Sequence, residues 1–296
     1  MLRDRLIFGP ILIVLLIAGM WADEALTAIN MPRGLGEFFG TGPTWPPGVV
    51  IFGIMVPVSW LAARELAGML RAKGILARKR VMSTAALIGL GVSCLIPRDM
   101  PAETAVAITG TASAVVLIGS LLFYARNQTI EGVMAGAGAA LLAYVYLGLM
   151  FGFVLALRRD HSVWLILWIL MTTKACDMGA YFTGVSIGKH KLIEWLSPKK
   201  TWEGLVGGLI AAGLVGGLGA WALASAGVDG PAPLNGAVFG VLFGLVGQFG
   251  DLIASLFKRD AKLKDASTVL PGLGGVLDVL DSPLLVMPVA YWLLAA

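Results

Sequence analysis

Residues 132–157 read GVMAGAGAALLAYVYLGLMFGFVLAL, a run of 26 positions without a charged side chain. A helix that crosses a bilayer needs about 20 predominantly apolar residues, so this run predicts a transmembrane helix. The whole chain of 296 residues is 58% hydrophobic and 14% charged. Soluble domains contain about 25% charged residues. The composition therefore excludes an ordinary soluble enzyme and favours a polytopic helical membrane protein.

Nine apolar runs are candidates for membrane spans, and the third of them is short. They are 6–22, 48–66, 81–96, 103–124, 132–157, 162–185, 204–225, 235–257 and 274–295. We predict an all-α, polytopic transmembrane helix bundle. It divides into a group of N-terminal helices, 1–160, and a C-terminal catalytic region with basic loops, 161–296.

The cations are distributed unequally between the two sides of this nine-span arrangement. The loops on the side of the N-terminus hold sixteen: Arg3, Arg5, Arg71, Lys73, Arg78, Lys79, Arg80, Arg126, Lys189, Lys191, Lys199, Lys200, Lys258, Arg259, Lys262 and Lys264. The opposite loops hold four: Arg33, Arg98, Arg158 and Arg159. The positive-inside rule therefore predicts a cytoplasmic N-terminus and cytoplasmic basic loops, with the pair Arg158 and Arg159 against the trend.

Three aspartates interrupt the last two apolar runs. Asp251 lies in the eighth span, and Asp278 and Asp281 lie in the ninth. Each costs about 2.5–3.5 kcal/mol at a helix centre, so a partner must offset their burial. Asp278 and Asp281 share a helix face, as do Asp251 and Ser255. Structural ion pairs would satisfy these carboxylates, but three of them beside a serine favour a divalent cation such as Mg²⁺.

Basic residues surround this group. Lys258, Arg259, Lys262 and Lys264 follow the eighth span, and PGLGG, residues 271–275, precedes the ninth, where free N–H groups are expected to receive a phosphate. In SPKKTWEG, residues 197–204, we expect Ser197 to be a helix N-cap that places Lys199 and Lys200 in the first turn. A bound anion would explain lysines at that end of a helix, although a solvated basic loop remains the alternative.

The sixth span contains TKACDMGAY, residues 173–181. Lys174, Asp177 and Tyr181 are three and four residues apart and share one face. An internal Lys174–Asp177 ion pair and a role in substrate binding are equally consistent with this spacing.

Glycines at small-xxx-small spacing mark the seventh and eighth spans. Close packing of two helix backbones is the expected cause, rather than a ligand site. They are Gly204, Gly208, Gly213, Gly217, Gly236, Gly240 and Gly244.

The run SLFKRDAKLKDASTVLPGLGGVLDVLD, residues 255–281, resembles the signature of the phosphatidate cytidylyltransferases, also called CDP-diacylglycerol synthases. The matching positions are Ser255, Lys258, Arg259, Lys264, Asp265, Pro271, Gly272, Gly274, Gly275, Asp278 and Asp281. CDMGAYFTGVSIGKHKL, SPKKTWEG and GQFGDLIAS are similar to further regions of that family, so the resemblance covers about residues 170–290. Leu273 stands where the family usually has histidine, and Val279 where it usually has arginine.

The resemblance implies a reaction of CTP with phosphatidate that gives CDP-diacylglycerol and pyrophosphate. It implies a multi-pass protein of the cell (inner) membrane whose active site faces the cytoplasm, a homodimer, Mg²⁺ as cofactor with K⁺ as a second candidate, and no nucleic-acid partner. Asp251, Asp278 and Asp281 would be the metal ligands, with Ser255 beside them.

The remaining polar residues would bind substrate. We expect the phosphates to be held by Lys199, Lys200, Lys258, Arg259 and Lys264, with Lys174 and Asp177 on the substrate side. Two alternatives remain: a CTP-dependent lipid or polyprenol kinase, and a cation-coupled membrane transporter.

Overall fold

The structure, a computed structural model, describes residues 2–32, 43–96, 100–126, 130–267, 269–270, 272 and 274–295. The residues Arg33, Arg98, Pro271 and Leu273, which the sequence analysis singled out, lie outside these ranges. Within them the elements are α1 (Leu2–Thr27), α2 (Val49–Ala72), α3 (Lys79–Leu95), α4 (Ala102–Ala125), α5 (Val133–Ala143), a π-helical segment (Tyr144–Leu149), α6 (Met150–Asp160), α7 (Val163–Ile187), β1 (Lys191–Ile193), β2 (Ser197–Thr201), α8 (Trp202–Ser225), α9 (Pro233–Asp260) and α10 (Val276–Ala295).

The predicted class, an all-α polytopic membrane bundle, is confirmed. Among the described residues, eight helical stretches are long and apolar enough to cross a membrane. One of them is continuous from Val133 to Asp160, because α5, the π-helical segment and α6 follow one another without a break. The third predicted span corresponds to α3, which has 17 residues, fewer than the about 20 that a perpendicular span requires.

The chain forms two compact units. The first unit contains residues 1–163 and 265–277, and the second contains residues 164–264 and 278–296. The segment before α10 thus packs with the N-terminal helices, although it is far from them in sequence.

In the first unit, α3 packs closely against the π-helical segment. A side chain at Gly89 would collide with the backbone of Tyr144 and Gly148, so glycine permits this approach. Tyr144 is fully buried, and its hydroxyl donates to the carbonyl oxygen of Thr109 at 3.3 Å. A π-turn displaces backbone carbonyls from their usual helical partners. Ser59 donates to one of them, the oxygen of Leu147, at 2.9 Å.

A buried ion pair joins α1 to α6 in this unit. Arg158 Nε donates to Asp23 Oδ2 at 2.6 Å, and the two side chains are 6% and 1% exposed. Asp23 also accepts from the N–H groups of Gly48 and Val50 at the start of α2, at 3.0 and 2.9 Å. The carboxylate therefore caps one helix and neutralises a cation on another.

The neighbouring Arg159 stabilises the other end of a helix. Its guanidinium donates to the carbonyl oxygens of Ser93, Cys94 and Ile96, at the C-terminal end of α3. Cations near these carbonyl groups are favourable because the C-terminal end of a helix carries partial negative charge. Arg158 and Arg159, the pair that runs against the positive-inside rule, thus both have structural partners.

The segment before α10 is held by a carboxylate from α2. Glu65 is 7% exposed and accepts from Ser267 Oγ at 2.6 Å, from Val276 N at 2.9 Å and from Leu277 N at 2.8 Å. The last two are N–H groups of the first turn of α10, so Glu65 occupies the anion position at that helix end. The expectation that these N–H groups are free for a phosphate is therefore wrong for Val276 and Leu277.

In the second unit, the glycine-rich faces of α8 and α9 pack against each other. A Cβ atom at Gly216 would collide with the carbonyl oxygen of Gly236, and one at Gly240 with that of Ala212. The predicted role of the glycine spacing in helix packing is confirmed for this pair. Trp168 on α7 donates to the oxygen of Gly216 at 3.0 Å and so joins a third helix to the pair.

Replacement of Glu65 tests how strongly it holds the start of α10. We expect Glu65→Gln to destabilise the folded protein by about 1–3 kcal/mol, because the amide places N–H against N–H in a buried site. The measurement is the thermal unfolding temperature in detergent. Glu131→Gln, at an exposed position, is the control. Equal unfolding temperatures for the two variants would contradict the assigned cap.

Candidate active site

The second unit contains a cavity of about 340 Å³. Residues from α7, β1, β2, α8, α9 and α10 line it: Lys174, Asp177, Ala180, Tyr181, Leu192, Lys199, Lys200, Thr201, Gly204, Leu205, Gln248, Asp251, Asp278, Asp281 and Ser282. Seven of the predicted site residues are therefore brought together: Lys174, Asp177, Lys199, Lys200, Asp251, Asp278 and Asp281.

The two lysines of SPKKTWEG reach the cavity from a strand. Ser197–Thr201 forms β2 and pairs antiparallel with β1. Helix α8 begins at Trp202, and its N-cap is Thr201, whose hydroxyl accepts from Gly204 N at 3.1 Å. The predicted N-cap at Ser197 is therefore wrong, and Lys199 and Lys200 are not in a first helical turn. Pro198 is compatible with an isolated two-stranded hairpin because both of its strands are edge strands.

Lys200 lies between two acceptors on α9. Its Nζ is 2.8 Å from Asp251 Oδ2 and donates to Gln248 Oε1 at 2.8 Å. Gln248 and Asp251 are three residues apart on the helix and hence share a face. The Lys200 side chain is 17% exposed, so its charge is largely removed from solvent and depends on these partners.

A second pair of charges comes from α7. Lys174 Nζ is 3.1 Å from Asp177 Oδ2, which confirms the internal pair that the spacing suggested. Asp177 Oδ1 accepts from Gln248 Nε2 at 3.1 Å. Gln248 thus connects the two lysine–aspartate pairs.

Asp281 completes the arrangement from α10. It is 6% exposed and accepts from the N–H of Ser282 at 2.6 Å. Its Oδ1 is 4.0 Å from Lys174 Nζ, and it lines the same cavity as Asp251. Six side chains thus follow one another in contact along the cavity, and we call them the ring: Lys174, Asp177, Gln248, Lys200, Asp251 and Asp281.

Asp278 has a cation of its own. Lys258 Nζ, on α9, donates to Asp278 Oδ1 at 2.7 Å, and both side chains are nearly buried. Lys258 is not among the residues that line the cavity, whereas Asp278 is. The pair connects the C-terminal end of α9 to the first turn of α10.

The carboxylates fit Mg²⁺ in number and chemistry. Mg²⁺ prefers oxygen ligands and is commonly held by one or two carboxylates together with water and substrate phosphates. Asp251 and Asp281 offer two carboxylates from different helices to the same cavity. Within the described ranges, no group of three His, Cys, Asp or Glu side chains converges as a metal site would. Asp278 and Asp251 each have a close lysine partner, Lys258 at 2.7 Å and Lys200 at 2.8 Å, whereas Lys174 Nζ is 4.0 Å from Asp281.

Four predicted site residues do not line the cavity: Ser255, Lys258, Arg259 and Lys264. Ser255 is half-buried on α9, and Lys264 is exposed beyond that helix. Arg259 is exposed, and its Nη1 donates to the oxygen of Leu263 at 3.2 Å. Val279, where the family signature has arginine, is 38% exposed. Together with Lys258, these basic residues stay predicted phosphate ligands.

Sequence reasoning missed two residues of this site. Gln248 was not predicted as a site residue. It does carry a signal, because a glutamine inside an apolar, glycine-rich span, three residues before Asp251, indicates a buried polar contact. Thr201 was not predicted as the N-cap, because the Ser-Pro dipeptide four residues earlier resembles a helix start more strongly.

The comparison with known families agrees with this site. A model described as the cytidylyltransferase family matches residues 37–296. The chain belongs to the cytidylyltransferase family. The match includes the second unit with its cavity and most of the first unit.

Individual relatives of the chain carry a more specific name. The phosphatidate cytidylyltransferase of Chlamydia muridarum is 31% identical over 261 residues, which cover 84% of this chain and 85% of the relative. That of Bacillus subtilis is 33% identical over 221 residues, 73% of this chain and 80% of the relative. That of Mycobacterium tuberculosis is 38% identical over 153 residues, 52% of this chain. The chain spans less than half the length of the mycobacterial relatives it matches.

The helix cap offers a direct test of the local structure of this site. We expect Thr201→Ala to destabilise the protein by about 1 kcal/mol, because the buried N–H of Gly204 loses its acceptor. Ser197→Ala removes the hydroxyl that the sequence favoured as the cap and should have little effect. Thermal unfolding of both variants in detergent compares them. A larger loss for Ser197→Ala would show that α8 begins earlier.

Proposed function

We propose that this cytidylyltransferase transfers the cytidylyl group of CTP to phosphatidate, giving CDP-diacylglycerol and pyrophosphate. The observation that carries the proposal is the ring of charged side chains at the cavity of the second unit, in a chain of this family. The 31% identity with the Chlamydia muridarum phosphatidate cytidylyltransferase over 85% of that protein supports the choice of phosphatidate as acceptor.

The proposed chemistry is an in-line displacement at phosphorus. A phosphate oxygen of phosphatidate attacks the α-phosphorus of CTP, the new P–O bond forms, and the bond from the α-phosphorus to the bridging oxygen of the β-phosphate breaks. Pyrophosphate leaves with that oxygen and its electron pair. No protein nucleophile is needed, so catalysis rests on orientation and on neutralisation of phosphate charge.

The lysines of the cavity are suited to that neutralisation. Lys199, Lys200 and Lys174 bring three ammonium groups to one cavity. We assign the phosphates of CTP to Lys199 and Lys200. Lys258, Arg259 and Lys264 remain candidates for a phosphate of either substrate.

We further propose that Mg²⁺ is required and that Asp251 and Asp281 hold it, with Asp278 as a third candidate ligand. When bound, the ion would neutralise charge on the phosphates during the displacement. K⁺ is a second candidate cation. We also propose that the protein is a homodimer in the cell (inner) membrane, with its active site open to the cytoplasm, where CTP is available.

An assay of the purified protein in detergent tests the reaction. Radiolabelled CTP and phosphatidate should yield labelled CDP-diacylglycerol and unlabelled pyrophosphate when CTP carries the label in its α-phosphate, and the yield should depend on Mg²⁺. Phosphorylated lipid and CDP as products would indicate a CTP-dependent kinase. Absence of CTP turnover, with cation transport in sealed vesicles, would indicate a transporter.

The carboxylates on α10 provide the first mutational prediction. We expect Asp278→Asn and Asp281→Asn each to leave less than about a tenth of the activity, since about 1.4 kcal/mol of lost transition-state stabilisation is already tenfold in rate. Membrane insertion should be retained, and activity is measured at a temperature at which both variants are folded, because Asp278→Asn leaves Lys258 without its carboxylate. Activity above that level in either folded variant would remove that residue from the proposed ligands.

The orientation of the basic loops provides a second prediction. In a background with Cys94→Ser and Cys176→Ala, a single cysteine introduced by Lys262→Cys should react with a membrane-impermeant thiol reagent in inverted vesicles only. The control is Asp229→Cys in the exposed loop between α8 and α9, which should react in intact cells. The reverse pattern would place the active site on the outer side.

A further inference from the structure

Gln248 is the one uncharged member of the ring of side chains at the cavity. It is 7% exposed and lies between Asp177 and Lys200, with Nε2 3.1 Å from Asp177 Oδ1 and Oε1 2.8 Å from Lys200 Nζ. A carboxylate only accepts hydrogen bonds and an ammonium group only donates them. An amide is the side-chain group that satisfies both neighbours at once, and it does so in a single orientation.

The position of the Lys200 ammonium depends on this amide. Nζ has three donors. Gln248 Oε1 and Asp251 Oδ2 accept two of them, both at 2.8 Å, and one donor remains. Because the two acceptors lie on one face of α9, they direct the long lysine side chain from β2 to a fixed point at the cavity. Without Gln248, a single carboxylate would hold Lys200, and the flexible side chain would regain rotamer freedom.

We propose that Gln248 is a positioning residue, which holds Lys200 so that its remaining donor binds a phosphate of CTP. The inference rests on the proposed function, because that function supplies the phosphate. Gln248 itself does not touch the reacting atoms. Its amide also keeps the ring at three carboxylates, whereas a glutamate at this position would add a fourth.

The first experiment compares Gln248→Met with the wild type. Methionine has a similar length and volume but makes neither hydrogen bond. Loss of a hydrogen bond to a charged group corresponds to about a tenfold change or more, so we expect KM for CTP to rise about tenfold. We expect kcat to change much less, because the ammonium group that binds CTP is displaced but not removed. Phe249→Met, at a 55% exposed position of the same helix, is the matched control and should behave as the wild type.

A double-mutant cycle distinguishes positioning from a general structural role. If Gln248 acts through Lys200, Gln248→Met should have no further effect on KM in a Lys200→Ala background. Equal effects in both backgrounds would overturn the proposal. A lower unfolding temperature with an unchanged KM would also overturn it, because that result describes a residue needed only for stability.

An exchange of amide and carboxylate tests the hydrogen-bond directions. Gln248→Glu alone places two carboxylates against each other and should raise KM for CTP. The double variant Gln248→Glu with Asp177→Asn restores one amide and one carboxylate. The new amide at position 177 then donates to the carboxylate at position 248, which again accepts from Lys200. We expect KM to return to within about threefold of the wild type. No recovery would show that the bond between positions 177 and 248 does not control Lys200.

Equilibrium binding of radiolabelled CTP to the same variants in detergent separates this inference from the proposed reaction. If the wild type binds CTP but forms no CDP-diacylglycerol, the proposed function fails, and the order of CTP affinities among the variants still decides the role of Gln248. If the wild type binds no CTP, both fail.

Discussion

A charged group inside a membrane protein must be satisfied by other groups of the protein, because lipid does not replace its hydration. This constraint organises both units of the chain. In the first, Asp23 binds Arg158 and the start of α2, and Glu65 binds the start of α10. In the second, carboxylates bind lysines around a cavity. The same kind of contact stabilises helix ends in one unit and forms the candidate site in the other.

Local patterns in the sequence predicted the helices well. Apolar runs and small-xxx-small spacing depend on residues a few positions apart, and they led to the spans and to the packing of α8 against α9. The hairpin was not predicted, because Ser-Pro resembles a helix start and the true cap, Thr201, is decided by a single hydrogen bond to Gly204. Glu65 could not be placed either, since its backbone partners are 211 and 212 residues away in sequence.

In the candidate site, too, the residues were predicted from local patterns, whereas their long-range contacts were not. The aspartates and lysines were found from their cost inside apolar runs and from a family signature, and the structure brings seven of them to one cavity. Their mutual partners were not predictable: nothing in the spacing indicates that Lys200 binds Asp251 or that Lys258 binds Asp278. Glutamine carries no formal charge and therefore contributes little to a search based on charge, although Gln248 joins two ion pairs.

The formal charges of the ring suggest why it suits a reaction of a nucleoside triphosphate. Three carboxylates stand against two ammonium groups, so the ring carries a formal excess of negative charge at the cavity. That excess favours a cation over an anion as the first occupant, whereas the triphosphate is strongly anionic. A divalent cation would reverse the sign of the excess and leave the site attractive to phosphate. The site thus favours a cation and a triphosphate together over a triphosphate alone. Because the amide of Gln248 is neutral, it adds no negative charge to the ring, and one divalent ion is enough to reverse the excess.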